Sequence, residues 1–134
     1  MLDNDMLQRV AETGVTEAMR FFGISDEIEV RCEIDNSVPD VDGGAAVIYM
    51  QHEYLRAKIV FHSVNIDTYE EAWGFAGHEV AHLVTREIDA VLARCPSALM
   101  HLGCNGIENA TTRLQRLFMR ERPYPGDAQF GSDA

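Results

Sequence analysis

A chain of 134 residues with a hydrophobic fraction of 46% and a mean hydropathy of -0.16 is long enough for one domain with a core of its own, and too short for a core plus a separate substrate lobe. Its formal net charge of -11 and isoelectric point near 4.7 repel phosphate backbones and anionic lipid, which argues against nucleic acid and membrane as partners. The opening residues Met1-Leu2-Asp3-Asn4-Asp5 carry no basic or apolar leader and no stretch approaches a membrane span, so the sequence predicts a cytoplasmic protein.

Residues 5 to 22 place Met6, Val10, Val15, Ala18, Met19 and Phe22 at helical spacings, interrupted by Gly14, and the run stops at Gly23; this predicts an amphipathic N-terminal helix packed on a sheet. Ile28 to Ile34 alternates apolar and polar residues strictly, as a strand with one buried face does. A loop from Asp35 to Gly44 leads to a second strand, Ala45 to Gln51, and His52-Glu53-Tyr54 turns the chain into a third, Arg56 to His62. So short a connection makes strands two and three an antiparallel hairpin. Thr68-Tyr69-Glu70-Glu71 is a capping-box signature that starts the next helix near Tyr69, and this helix should fade around Arg86 or Glu87. Ile88 to Ala93 reads as helical again before Pro96, and the chain from there to Gly106 reads as irregular. A last helix, with Ile107, Ala110, Leu114, Leu117 and Phe118 as its apolar face, ends by Pro123. The reading is thus an α+β domain over residues 1–122, with a three-stranded, mainly antiparallel sheet, followed by a polar tail, 123–134, expected to be mobile.

The helix that begins near Tyr69 carries His78-Glu79-Val80-Ala81-His82, the pattern His-Glu-x-x-His. Two imidazoles four positions apart lie one turn above the other on one helical face and can ligate one metal ion, with the glutamate placed to hold a water beside it. Projection at about 100° per residue puts Trp73, Ala76, Val80, Leu83 and Val84 in one apolar stripe and the two histidines on the other side, with Phe75 between them. Such a helix lies between the core and whatever completes the site. Cys32, Cys95 and Cys104 form an odd set without Cys-x-x-Cys spacing, so neither a disulfide framework nor a thiolate metal site is indicated.

A catalytic zinc centre needs a third protein ligand, with water in the fourth position. The candidates are Glu108, His101, Cys104, Glu87, His52 and His62. Glu108 ranks first, because it lies beside the apolar face of the last helix, where a carboxylate can point at the motif helix. Asn109 and Thr112, within a turn of it, could orient a ligand.

His78-Glu79-Val80-Ala81-His82-Leu83 followed by Gly106-Ile107-Glu108-Asn109-Ala110 resembles the gluzincin clan of zinc metallopeptidases, in which a downstream helix supplies a glutamate as third ligand. The order of elements is similar to the minimal zincin core of small members, including metallopeptidase-like proteins of phages and prophages. The metzincin pattern is not met, because Thr85 and Ile88 stand where its glycine and third histidine would be. The resemblance implies one Zn2+ per chain held by His78, His82 and Glu108, with Glu79 as general base for hydrolysis of a peptide or protein substrate by an activated water. It also implies an edge strand that aligns the substrate, for which the third strand is the expected one. Larger gluzincins place a tyrosine or histidine against the tetrahedral intermediate; no position here matches by spacing, and Tyr69, His101, Arg113 and Tyr124 are the stand-ins. The rival expectation is a non-catalytic, zinc-stabilised binding or structural module, which a fourth protein ligand from His101 or Cys104 would favour. A degenerate fold without metal is the third.

Overall fold

The computed structural model describes residues 2–24, 27–36, 44–51, 55–85 and 97–131, with side chains from residue 105 onward in the last stretch. Helix α1 (Asn4–Phe22) is capped at its start by the Asp3 carboxylate, which accepts from the Asp5 amide. It stops at Gly23, whose φ of 67° lets the next amide, that of Ile24, reach back to the Met19 carbonyl. The strands are β1 (Glu29–Asp35), β2 (Ala46–Gln51) and β3 (Arg56–His62). Helix α2 (Tyr69–Val84) follows, then α3 (Ser97–Glu121). Among the described residues no helix is long and apolar enough to cross a membrane.

The architecture is the expected α+β arrangement, with a mixed sheet in the order β1-β3-β2. β2 and β3 form the antiparallel hairpin, whereas β1 lies parallel to β3, with Asp35 opposite His62. β3 is therefore the central strand, not the edge strand expected to align a substrate. Burial explains its place: Ala57, Ile59 and Phe61 are buried, while the inward residues of the outer strands, such as Val30 and Ile48, are only half-buried. The edge next to the helices' open side is β2. Because the His62 amide donates to the Ala45 carbonyl, alternation along the pair turns the backbone groups of Ala46, Ile48 and Met50 away from β3, to the open edge. On β1, burial aided by the charge of Glu12 pushes the Cys32 thiol up to about 12, in keeping with a small hydrophobe that does no thiolate chemistry.

α2 begins with the Thr68 cap, whose Oγ1 accepts from the Glu71 amide at 3.1 Å, while the Glu71 carboxylate reaches back one residue beyond the cap and accepts from the Asp67 amide at 2.9 Å. Ala72, Trp73, Ala76, Val80 and Leu83 are buried in the common core with α1 and the sheet. Val84, at the helix's last residue, is 50% exposed and does not extend that stripe. The helical reading of Ile88 to Ala93 falls outside the described residues.

α3 starts at Ser97, so the stretch expected to be irregular before Gly106 is helical. Gly103, Asn105 and Gly106 weaken the local signal there, but a 25-residue helix anchored by packing at its far end overrides propensity. Its buried face also differs: Ile107, Thr111 and Phe118 are inside, whereas Ala110 and Leu117 are exposed. Thr111 takes a core position because its hydroxyl donates to the Glu108 carbonyl at 3.0 Å. In the segment expected to be mobile, Tyr124 and Phe130 stack with their rings 5.8 Å apart beside Trp73, and the Arg9 guanidinium donates twice to the Phe130 carbonyl.

The helices approach closely at glycines. A Cβ on Gly77 would come within 2.5 Å of the Phe118 ring, which is buried and stacked on Trp73. Gly77→Ala is expected to destabilise the protein by about 1–2 kcal/mol, because overpacking outweighs the gain in helix propensity. At Gly106, in the same fold but with open space around it, the same exchange is expected to stabilise by about 0.5–1 kcal/mol. Urea melts of both variants check the pair, and a Gly77→Ala protein as stable as wild type would show that the α2–α3 contact yields at no cost.

Candidate metal centre

The four-residue spacing on α2 sets the His78 and His82 rings edge to face with centroids 5.2 Å apart. Across from them α3 delivers Glu108, whose carboxylate spans the pair: Oε2 lies 3.1 Å from His78 Nε2 and Oε1 3.0 Å from His82 Nε2. Donor atoms about 2.0–2.2 Å from a tetrahedral metal stand about 3.3 Å apart. The two Glu108-to-histidine distances are close to that spacing. One nitrogen of each histidine and a Glu79 carboxylate oxygen also lie within 4.8 Å of one another, a grouping able to hold a metal ion. Of the two carboxylates, Glu108 touches both imidazoles from α3, while Glu79 shares α2 with them.

Glu79 is only 7% exposed. Burial, and next the negative charge of Glu108, push its carboxyl up to about 8, against a hydrogen bond from the backbone of Ile48 that favours the ionised form. The site opens into a cleft of about 690 Å³ between β2 and the helices, whose wall includes Ile48, Met50, Phe75, Thr112 and Gln115. Among the described residues no lysine or arginine lines it. Two carboxylates and two imidazoles converge here with no basic side chain in the cleft wall among the described residues, a donor set whose imidazole nitrogens suit a divalent transition metal.

His62 follows the inward-facing Phe61, so it lies on the opposite face of the sheet, its Nδ1 3.5 Å from the Asp35 carboxylate. His52 and Glu87, and the side chains of His101 and Cys104, lie outside the described residues. The Tyr69 hydroxyl accepts from the Asp3 amide, and that of Tyr124 donates to Asp127. Neither they nor the exposed Arg113 line the cleft. Tyr69 lies nine residues before His78, about 13 Å back along the helix. Asn109 is exposed; Thr112 borders the cleft.

The residue that sequence reasoning missed is Gln115, whose Oε1 lies 3.0 Å from His78 Nδ1. A signal existed: Glu108, Thr112 and Gln115 stand at i, i+4 and i+7, a polar stripe along the face that meets α2. No protein-family model, curated protein or solved structure matches the chain.

Glu79 binds its proton in the folded, metal-free chain at pH values where the unfolded chain has lost it. Stability is therefore fully present below the ordinary value of 4.5 and falls as pH rises from there through about 8. Under chelation, Glu79→Gln is expected to raise the melting temperature clearly at pH 8 and little at pH 4.5. Equal effects at both values, read by calorimetry, would refute the raised carboxyl.

Proposed function

We propose that the chain is a zinc-dependent metallopeptidase that holds one Zn2+ through His78, His82 and Glu108 and hydrolyses peptide bonds with Glu79 as general base. The observation that carries this reading is the Glu108 carboxylate set across both imidazoles, with a buried carboxylic acid beside them at the wall of an open cleft. The order of helix, sheet, motif helix and glutamate helix supports the gluzincin resemblance. Zinc bound by such a set supplies a Lewis acid and lowers the pKa of water from about 15.7 toward 7.

The chain's own groups do the rest. With a cation held beside it, Glu79 would lose its proton more readily, and its carboxylate would then take a proton from water and pass it to the leaving amine. The open backbone groups of Ala46 and Met50 on β2 suit an extended peptide laid along the sheet edge beside the cleft. β2 replaces β3 in this role. Ile48 holds Glu79 from the same edge, which ties the position of the base to the strand that would carry the substrate.

A non-catalytic, zinc-stabilised binding or structural module is the second reading. It is favoured by a cleft wall without tyrosine, arginine or lysine to meet a developing oxyanion among the described residues. Metal content by elemental mass spectrometry and hydrolysis of a mixed peptide library separate the two. The expected outcome is about one zinc per chain, sharply reduced in Glu108→Ala, and a Glu79→Gln protein that keeps its zinc while turnover falls by about 10²–10⁴. A Glu79→Gln protein as active as wild type removes Glu79 as base. Zinc without hydrolysis selects the second reading, and no zinc after add-back overturns both.

A further inference from the structure

Gln115 sits two turns beyond Glu108 on the same face of α3, and its side chain reaches into the space left by a glycine. A Cβ on Gly74 would stand 3.1 Å from Gln115 Nε2 and 3.0 Å from Met119 Sδ, so a residue larger than glycine would crowd the amide against α2. There the Gln115 carbonyl meets His78 Nδ1 at 3.0 Å, on the side of the ring opposite Glu108. A carbonyl oxygen only accepts, so Nδ1 must carry the proton. The Glu108 carboxylate on the other nitrogen also only accepts, so Nε2 is free to ligate where a metal ion takes the place of its proton, with Nδ1–H staying on Gln115.

We infer that Gln115 is the positioning residue of the metal centre, holding His78 as the Nδ1–H tautomer so that Nε2 is the ligating nitrogen. The inference rests on the metal reading above. It also accounts for the choice of an amide. A neutral acceptor orients the ring without adding a third negative charge to a cleft that already holds Glu79 and Glu108. The other orientation of the same amide, with its NH2 group toward the ring, would place the proton on Nε2 and block ligation. In the structure it is the Gln115 carbonyl, not its NH2 group, that faces Nδ1.

The test is a zinc titration against a chelator of known affinity on wild type, Gln115→Leu and Gln115→Glu, with nitrogen-15 ring spectra of His78 in the zinc-loaded wild type. Gln115→Leu keeps the shape and loses the acceptor, and should weaken zinc binding about 10–100-fold. Gln115→Glu restores an acceptor and should bind at least as tightly as wild type. The spectra should show Nδ1 protonated and Nε2 bound to metal. If wild type binds zinc and Gln115→Leu binds it equally, the inference fails while the metal centre stands. Equal weakening by leucine and glutamate would make Gln115 a packing residue, and metal on Nδ1 would overturn the tautomer directly, whatever the variants do. A wild type that takes up no zinc overturns the metal reading and this inference together.

Discussion

The separation of α2 and α3 is set where two glycines of one helix meet the large side chains of the other. Gly77 lies against Phe118, and Gly74 against Met119 and Gln115. Phe118 cannot give way, since it is fully buried and packed on Trp73, Phe21 and Phe22. The Glu108 carboxylate travels with α3. A metal site tolerates errors of about 0.2 Å in its bond lengths. A core contact ten residues along the helix from Glu108 therefore fixes the reach of that carboxylate to the two histidines.

α2 serves three surroundings at once. Ala76, Val80 and Leu83 belong to the core under α1 and the sheet, Gly74 and Gly77 to the contact with α3, and His78 and His82 to the cleft. Glu79 has no low-cost place among these. It is nearly buried next to another carboxylate, partnered by a backbone amide from the sheet edge, and the fold is less stable for keeping it there. A burial cost at a group of this kind is what a functional site looks like when each neighbouring position obeys ordinary packing rules.

What could be read from the residues was local. The hairpin strands, the Thr68 cap and the helical facing of the two histidines follow from period and hydrogen-bonding chemistry over a few positions, and the structure agrees with each. Glu108 was accessible through spacing and resemblance. Strand order was not, because Ile34 and Ile59 both read as inward-facing, and only the helices above decide which strand takes the fully covered centre. The early start of α3 was hidden by glycines whose local cost is repaid by contacts farther along the helix. Gln115 was missed because a polar residue seven positions past Glu108 becomes meaningful only once the interhelical distance is known.

The sheet edge has a second physical consequence. β2 reads Ala-Val-Ile-Tyr-Met-Gln, with no charged side chain, and on either side of the Ile48 amide that meets Glu79 the outward backbone groups of Ala46 and Met50 are turned toward any extended chain, including that of another copy. Mutual repulsion from the net charge of -11 opposes such a contact. That protection is colloidal and long-ranged, and it shrinks with ionic strength, to a reach of about 8 Å at physiological salt and about 3 Å at 1 M. High salt and high concentration therefore favour strand-to-strand association along β2. A molecule joined in that way has its cleft mouth occupied by its neighbour.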